Sequence, residues 1–175
     1  MRILITGAAG QIGSGLSKLL IENGHDLTLC DNLRNGYLEH LKDNANEVIA
    51  PFYEVDITTQ EFFEKCGGEY DVIIHLAAIT SLPDCESNPL ETLSINVSGT
   101  ANVLEFAREF DVPHVIFAST SAIYENNDVE VFTEDLEVNP RLYYSLSKKM
   151  SEELIHSYRE NYGMTVTILR FFNVF

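Results

Sequence analysis

Tyr144 and Lys148 stand four residues apart in Tyr144-Ser145-Leu146-Ser147-Lys148, so one helical face carries both side chains. A phenol titrates near pH ~10 and is a poor base at neutral pH. A neighbouring ammonium favours the phenolate and lowers that value. Such a pair can take a proton from a substrate hydroxyl while hydride leaves to a cofactor. Tyr143 offers a competing register, but Ser147 rather than a lysine lies four residues beyond it. Thr120, in Ala118-Ser119-Thr120-Ser121, closes a strand-like run. A hydroxyl at the carboxyl end of a strand is where an open α/β sheet meets its ligand. It can hydrogen-bond the reacting oxygen and aim it at Tyr144.

A second group of residues suits a dinucleotide. Thr6-Gly7-Ala8-Ala9-Gly10-Gln11-Ile12-Gly13 lies between a β-type run and an amphipathic run. Gly7 permits the tight turn, Gly10 lets backbone approach a pyrophosphate, and Gly13 lets helix and strand pack closely. The helix start, with Gln11 and Ile12, presents free N–H groups to the phosphates. The spacing is GxxGxxG. Asp31, followed by Asn32, ends the second strand about twenty residues after the turn, where a carboxylate accepts the adenosine ribose hydroxyls. A carboxylate there repels a 2′-phosphate, so NAD is expected over NADP; Arg34 leaves NADP tolerance open.

These residues need a scaffold. Aliphatic runs at 3–6, 26–30, 48–53, 71–76, 114–119 and 166–171 read as strands covered on both faces. Between them lie helical patterns. The first spans 11–22, with Ile12, Leu16, Leu19 and Leu20 on one face, and closes at Asn23-Gly24. Short helices are expected at 37–42 and 59–65. A long one spans 89–110, capped by Ser87 or Asn88, with Leu93, Val97, Val103, Leu104 and Ala107 among its apolar positions. The last spans 141–162 and ends at Gly163. Residues 125–139 are acidic and polar and read as a surface loop. This alternation predicts an α/β fold. Its form is a doubly wound Rossmann sheet of about six parallel strands, in order 3-2-1-4-5-6, with helices on both faces.

Composition narrows the partners. The 175 residues suit one domain, 1–175. Eleven Lys and Arg stand against 27 Asp and Glu, a net charge of −16. Such a surface repels nucleic acid and anionic lipid, so neither is expected as a partner. Cys30, Cys66 and Cys85 form no CxxC pair and are odd in number, which predicts reduced thiols in a cytoplasmic protein. No metal site is expected. No run approaches the ~18–20 apolar residues of a membrane span. The first strand begins at the third residue, so no leader is expected.

Taken together, the glycine turn, Asp31, the Thr120 cluster and Tyr-x-x-x-Lys resemble the extended short-chain dehydrogenase/reductase superfamily. Within it, the chain is similar to the NAD-dependent epimerase/dehydratase family. Further matches are Asp56-Ile57, His75-Leu76-Ala77-Ala78, Asn96 with Gly99-Thr100, Ile123-Tyr124, and Leu169-Arg170-Phe171-Phe172-Asn173-Val174-Phe175. The resemblance implies that Asp56 and Ile57 contact adenine. It also implies that Leu76, Ala77 and Ala78 line the cofactor, with Phe171 near its nicotinamide half. Thr120, Tyr144 and Lys148 would form the catalytic triad, and Thr120 and Asn173 would touch a nucleotide-sugar substrate. Asn96 joins the cofactor set and supports the site from its helix. His75 is expected to be structural, and Phe172 to be strand core.

Two departures stand out. Glu125 follows Tyr124 where the family usually has glycine, which loosens the loop match without removing a catalytic group. Family members also run on to a smaller C-terminal substrate domain, so the resemblance implies an NAD-binding domain without it. The 4,6-dehydratases carry an Asp-Glu pair directly after the catalytic threonine, where this chain has Ser121-Ala122. Without that acid, a UDP-sugar 4-epimerase-like reaction is expected. Alternatives are a decarboxylase or reductase of the same family, or a non-catalytic NAD-binding fragment or sensor. The resemblance also implies a homodimer through the helices at 89–110 and 141–162.

Overall fold

The apolar runs pair in parallel into a single six-stranded sheet in the computed structural model, which describes residues 1–174. Phe175, the last residue of the final motif, lies outside the described residues. The strands are β1 (Arg2–Thr6), β2 (Asp26–Asp31), β3 (Phe52–Glu54), β4 (Val72–His75), β5 (His114–Thr120) and β6 (Thr165–Phe171). Their order is β3-β2-β1-β4-β5-β6, the doubly wound Rossmann order. Connections leave β1 and β4 in opposite directions, so a crevice opens at the carboxyl ends of these two neighbours.

Period-two alternation divides β1 between two cores. Leu4 faces a layer with Ile73, Phe62, Phe106, Phe117 and Ile155, whereas Ile3 and Ile5 face Leu27, Leu29 and Ile74. The helices are α1 (Gln11–Glu22), α2 (Gln60–Cys66), α3 (Leu82–Ser87), α4 (Pro89–Leu93), α5 (Gly99–Glu109) and α6 (Tyr143–Tyr162). Among the described residues, no helix is long and apolar enough to cross a membrane.

Several expectations shift. In α1, Leu16 and Leu20 pack on the core, but Ile12 is 37% and Leu19 55% exposed. The buried positions are Gly13, Ser14 and Ser17, small residues that let the helix lie close to the turn. The strands are not all covered on both faces. β3 and β6 are edges, and Thr165, Thr167 and Leu169 of β6 are exposed. β3 starts at Phe52, because Val48 instead bridges Lys42 in antiparallel fashion. The loop before 89 holds an unexpected helix, α3, whose cap Ser81 accepts a hydrogen bond from the Asp84 amide.

The long helix expected at 89–110 is interrupted. Ser94–Ser98 forms a π-helical turn between α4 and α5. One of its carbonyls finds a local and a tertiary partner. The Asn96 carbonyl accepts the hydroxyls of Thr100 (2.6 Å) and Ser151 (2.9 Å), which compensates the wider backbone turn.

Candidate active site

The crevice is a cleft of about 700 Å³, a size typical of small-molecule sites. Gly7 adopts φ 71°, and a Cβ there would lie 2.6 Å from the Ala77 amide nitrogen. Only glycine allows the loop after β4 to approach the turn so closely. A Cβ on Gly13 would collide with the Gly7 carbonyl, so this glycine brings α1 against the turn. At Gly10 a Cβ would meet nothing nearer than 3.4 Å; it would project into the cleft instead. The start of α1 has no side-chain cap and no acidic residue in its first turn, so its N–H groups remain available to an anion.

Asp31 closes β2 beside this turn. Its carboxylate accepts the Ala9 amide (3.0 Å) and the Leu33 amide (2.8 Å), which fixes it at the cleft wall. Burial pushes its carboxyl above the ordinary value, and the backbone hydrogen bonds only partly oppose this. Asn32 bridges Asp56, donating to it at 2.9 Å. Burial alone would raise Asp56, but the Thr58 hydroxyl and amide, Asn32 and Arg34 hold it below the usual range.

At the other end of the cleft, α6 carries Tyr144 and Lys148 on its first two turns. Tyr144 is half-buried and lines the cleft together with Thr120. Burial pushes its phenol up, with the Thr120 hydrogen bond pulling the other way. This differs from the lowering expected from Lys148. The buried ammonium is directed elsewhere: it donates to the Ala118 carbonyl at 2.8 Å and lies 4.8 Å from the centre of the Phe117 ring. Burial brings Lys148 itself down to about 8.

Of the residues singled out from sequence, Gly7, Gly10, Gln11, Ile12, Gly13, Asp31, Asn32, Asp56, Ile57, Leu76, Ala77, Ala78, Thr120, Tyr144, Lys148, Phe171 and Asn173 all line this one cleft. Asn96 does not. Its buried side chain accepts from the Ile79 amide and donates to the Ile79 carbonyl and to Ser147. It ties the wall after β4 to the residue preceding Lys148, and so acts on the site through other groups. His75 bridges the hydroxyls of Thr6 (2.7 Å) and Thr100 (3.1 Å); burial drops it to about 3, so it is a neutral buckle. Phe172 is 57% exposed and lines the cleft rather than filling a core.

Two supporting features were not visible in the sequence. The backbone amides of Arg141 and Leu142 donate to Glu125, the Ser145 hydroxyl donates to it as well, and the Tyr143 amide donates to Glu86. Two distant carboxylates thus cap the helix that carries Tyr144. Glu152, buried one turn beyond Lys148, accepts Arg170 at 2.8 Å and the Ser119 hydroxyl. Arg170 also donates to the Tyr124 hydroxyl and the Glu134 carbonyl. This network joins α6 to the ends of β5 and β6.

Fold and cleft together define a Rossmann-class domain with a tyrosine–lysine pair at its switch point. The chain belongs to the NAD dependent epimerase/dehydratase family, whose model matches residues 3–175. It is similar to the solved UDP-glucose 4-epimerase of Thermotoga maritima with UDP-glucose. The identity is 34% and the TM-score 0.90, over 100% of this chain and 56% of that one. The Thermus thermophilus UDP-glucose 4-epimerase, solved with NAD, is 32% identical with a TM-score of 0.86, over 97% and 54%. The UDP-glucuronate 4-epimerase of Thermodesulfobacterium geofontis is 33% identical, over 98% of this chain and 55% of its own. The chain spans about half the length of the curated relatives it matches.

Proposed function

We propose that this chain binds NAD and contributes the acid–base groups of a nucleotide-sugar 4-epimerase. The cleft suits the cofactor. Gly10 leaves open the space a Cβ would fill, uncapped amides of α1 face that space, and Asp31 holds a carboxylate on the adenosine side. Gly7, Gly10, Gln11, Ile12 and Gly13 would hold the phosphates, Asp31 and Asn32 the ribose, and Asp56 and Ile57 the adenine. Leu76, Ala77, Ala78 and Phe171 would form the apolar walls. Bound NAD would supply the hydride acceptor and donor.

The chain's own residues would move the proton. Thr120 orients the sugar hydroxyl, Tyr144 removes its proton and later returns it, and Lys148 adds a buried positive charge to the same cleft. The observation that carries this reading is that Thr120, Tyr144 and Lys148 line the same cleft as the glycine turn. No carboxylate follows Thr120. Ser121 and Ala122 line the cleft there, which supports epimerisation over dehydration. Asn173 would contact the nucleotide sugar, UDP-glucose being the first to test. The reading includes a cytoplasmic homodimer.

The test is Tyr144→Phe, assayed for UDP-glucose/UDP-galactose interconversion and titrated with NAD. Turnover should fall about 10²-fold or more while NAD affinity changes little. Unchanged turnover would remove Tyr144 from the mechanism. Absence of turnover in the parent protein, with NAD binding retained, would favour the reading as a non-catalytic NAD-binding fragment or sensor.

A further inference from the structure

The cleft is lined by only two cationic side chains among the described residues, Lys148 at its catalytic end and Arg34 on the loop after β2. Arg34 stands three residues beyond Asp31 and lines the same cleft. Its guanidinium is already engaged. It forms a two-armed ion pair with Glu91 of α4, one arm at 3.0 Å and the other shorter. Its amide donates to the Asn32 side chain at 3.2 Å, which fixes the base of the side chain. Asp56 and Asp84 add negative charge around the same guanidinium.

We propose that Glu91 reinforces the preference for NAD set by Asp31 by sequestering Arg34, so that no cation is free to meet the 2′-phosphate of NADP. This inference rests on the NAD-binding reading above. An arginine near the ribose carboxylate is the usual means of accommodating a 2′-phosphate, and its planar fork binds phosphate as readily as carboxylate. Glu91 occupies that fork. A 2′-phosphate would have to displace Glu91 from Arg34 while lying beside Asp31, so two carboxylates act against it. NAD carries only a neutral hydroxyl at that position, which Asp31 would accept, and so makes no demand on Arg34.

Glu91 is exposed and sits in the first turn of the short helix α4, so Glu91→Gln keeps its volume and leaves the core untouched. The experiment titrates the wild-type chain, Glu91→Gln and Glu91→Gln/Arg34→Met with NAD and with NADP by calorimetry, with melting curves on each. The pair is partly solvated, so the expected gain in NADP affinity of Glu91→Gln is about fivefold at low salt. It should shrink as salt is raised. NAD affinity should stay within about twofold, and Asp31 should still leave NAD preferred. The double variant should lose the gain.

An unchanged NADP-to-NAD ratio in Glu91→Gln, with NAD binding intact, overturns the proposal. So does a gain that persists in the double variant, because removal of negative charge would then act without Arg34. If the wild type binds neither dinucleotide, the NAD-binding reading fails and this inference falls with it.

Discussion

At the scale of single residues, Lys148 is held in a state its surroundings disfavour. It is 3% exposed, and burial lowers it from its ordinary value to about 8. In the unfolded chain it keeps the ordinary lysine value near ~10.4. Below pH 8 both states hold the proton, and the fold carries the full cost of the buried charge. Between pH 8 and ~10.4 the unfolded chain holds a proton that the fold has released, so stability rises with pH across that window. The rise should total up to ~3 kcal/mol relative to Lys148→Met, which has no proton to lose. Urea unfolding of both proteins at pH 7 and pH 10 measures it. Parallel behaviour of the two would show that Lys148 titrates normally. The identity of this lysine was legible in the sequence because its spacing from Tyr144 is local. Its electrostatics were not. The Ala118 carbonyl and Phe117 ring that hold the ammonium come from β5, some thirty residues earlier in the chain.

At the scale of elements, the strands and their order follow from apolar runs separated by helical ones, a signal contained within each segment. What could not be read locally is where elements borrow groups from elsewhere. α6 begins at Tyr143 with Leu142 at its N-cap, a residue that offers no side-chain acceptor. Glu125 replaces it from 16 or 17 residues upstream, accepting two amides and the Ser145 hydroxyl. The position where the family usually has glycine therefore carries the cap of the helix that bears Tyr144 and Lys148. Glu125→Ala should destabilise the protein by about 1–2 kcal/mol, the usual cost of a lost helix cap. Glu86 still holds the Tyr143 amide, so the helix should remain. Denaturation would give the loss, and hydrogen exchange should quicken in the first turn of α6 more than in its last. Uniform exchange along α6 would mean that Glu125 contributes nothing specific to its start. The π-helical turn at Ser94–Ser98 escaped the sequence for a similar reason. Helical periodicity at 89–110 is unbroken, and the hydroxyls that stabilise the turn lie on α5 and α6.

At the scale of the whole molecule, two apolar series remain only partly covered. Leu93, Val97 and Ala101 recur every fourth residue along α4, the π turn and α5, and Leu146, Met150 and Leu154 do so along α6. The two segments are bound to each other through Asn96, Ser147 and Ser151, so the series belong to one rigid unit. Half-buried leucines, a valine and a 41% exposed methionine on neighbouring helices are what a helical dimer seam would use. A net charge of −16 per chain opposes that association over long range. The proposed homodimer should therefore be weak at low ionic strength and tighten as salt screens the repulsion. Surface ion pairs would give the opposite trend, so the sign of the salt dependence reports which force holds the interface. Sedimentation equilibrium at micromolar concentration should show a dimer near physiological salt and a shift toward monomer as salt is removed. Val97→Arg should yield a monomer at all salt concentrations, with circular dichroism unchanged because the side chain is only half-buried. A wild-type chain that stays monomeric throughout would rule out this face as a self-association surface. A Val97→Arg variant that still dimerises would move the interface elsewhere.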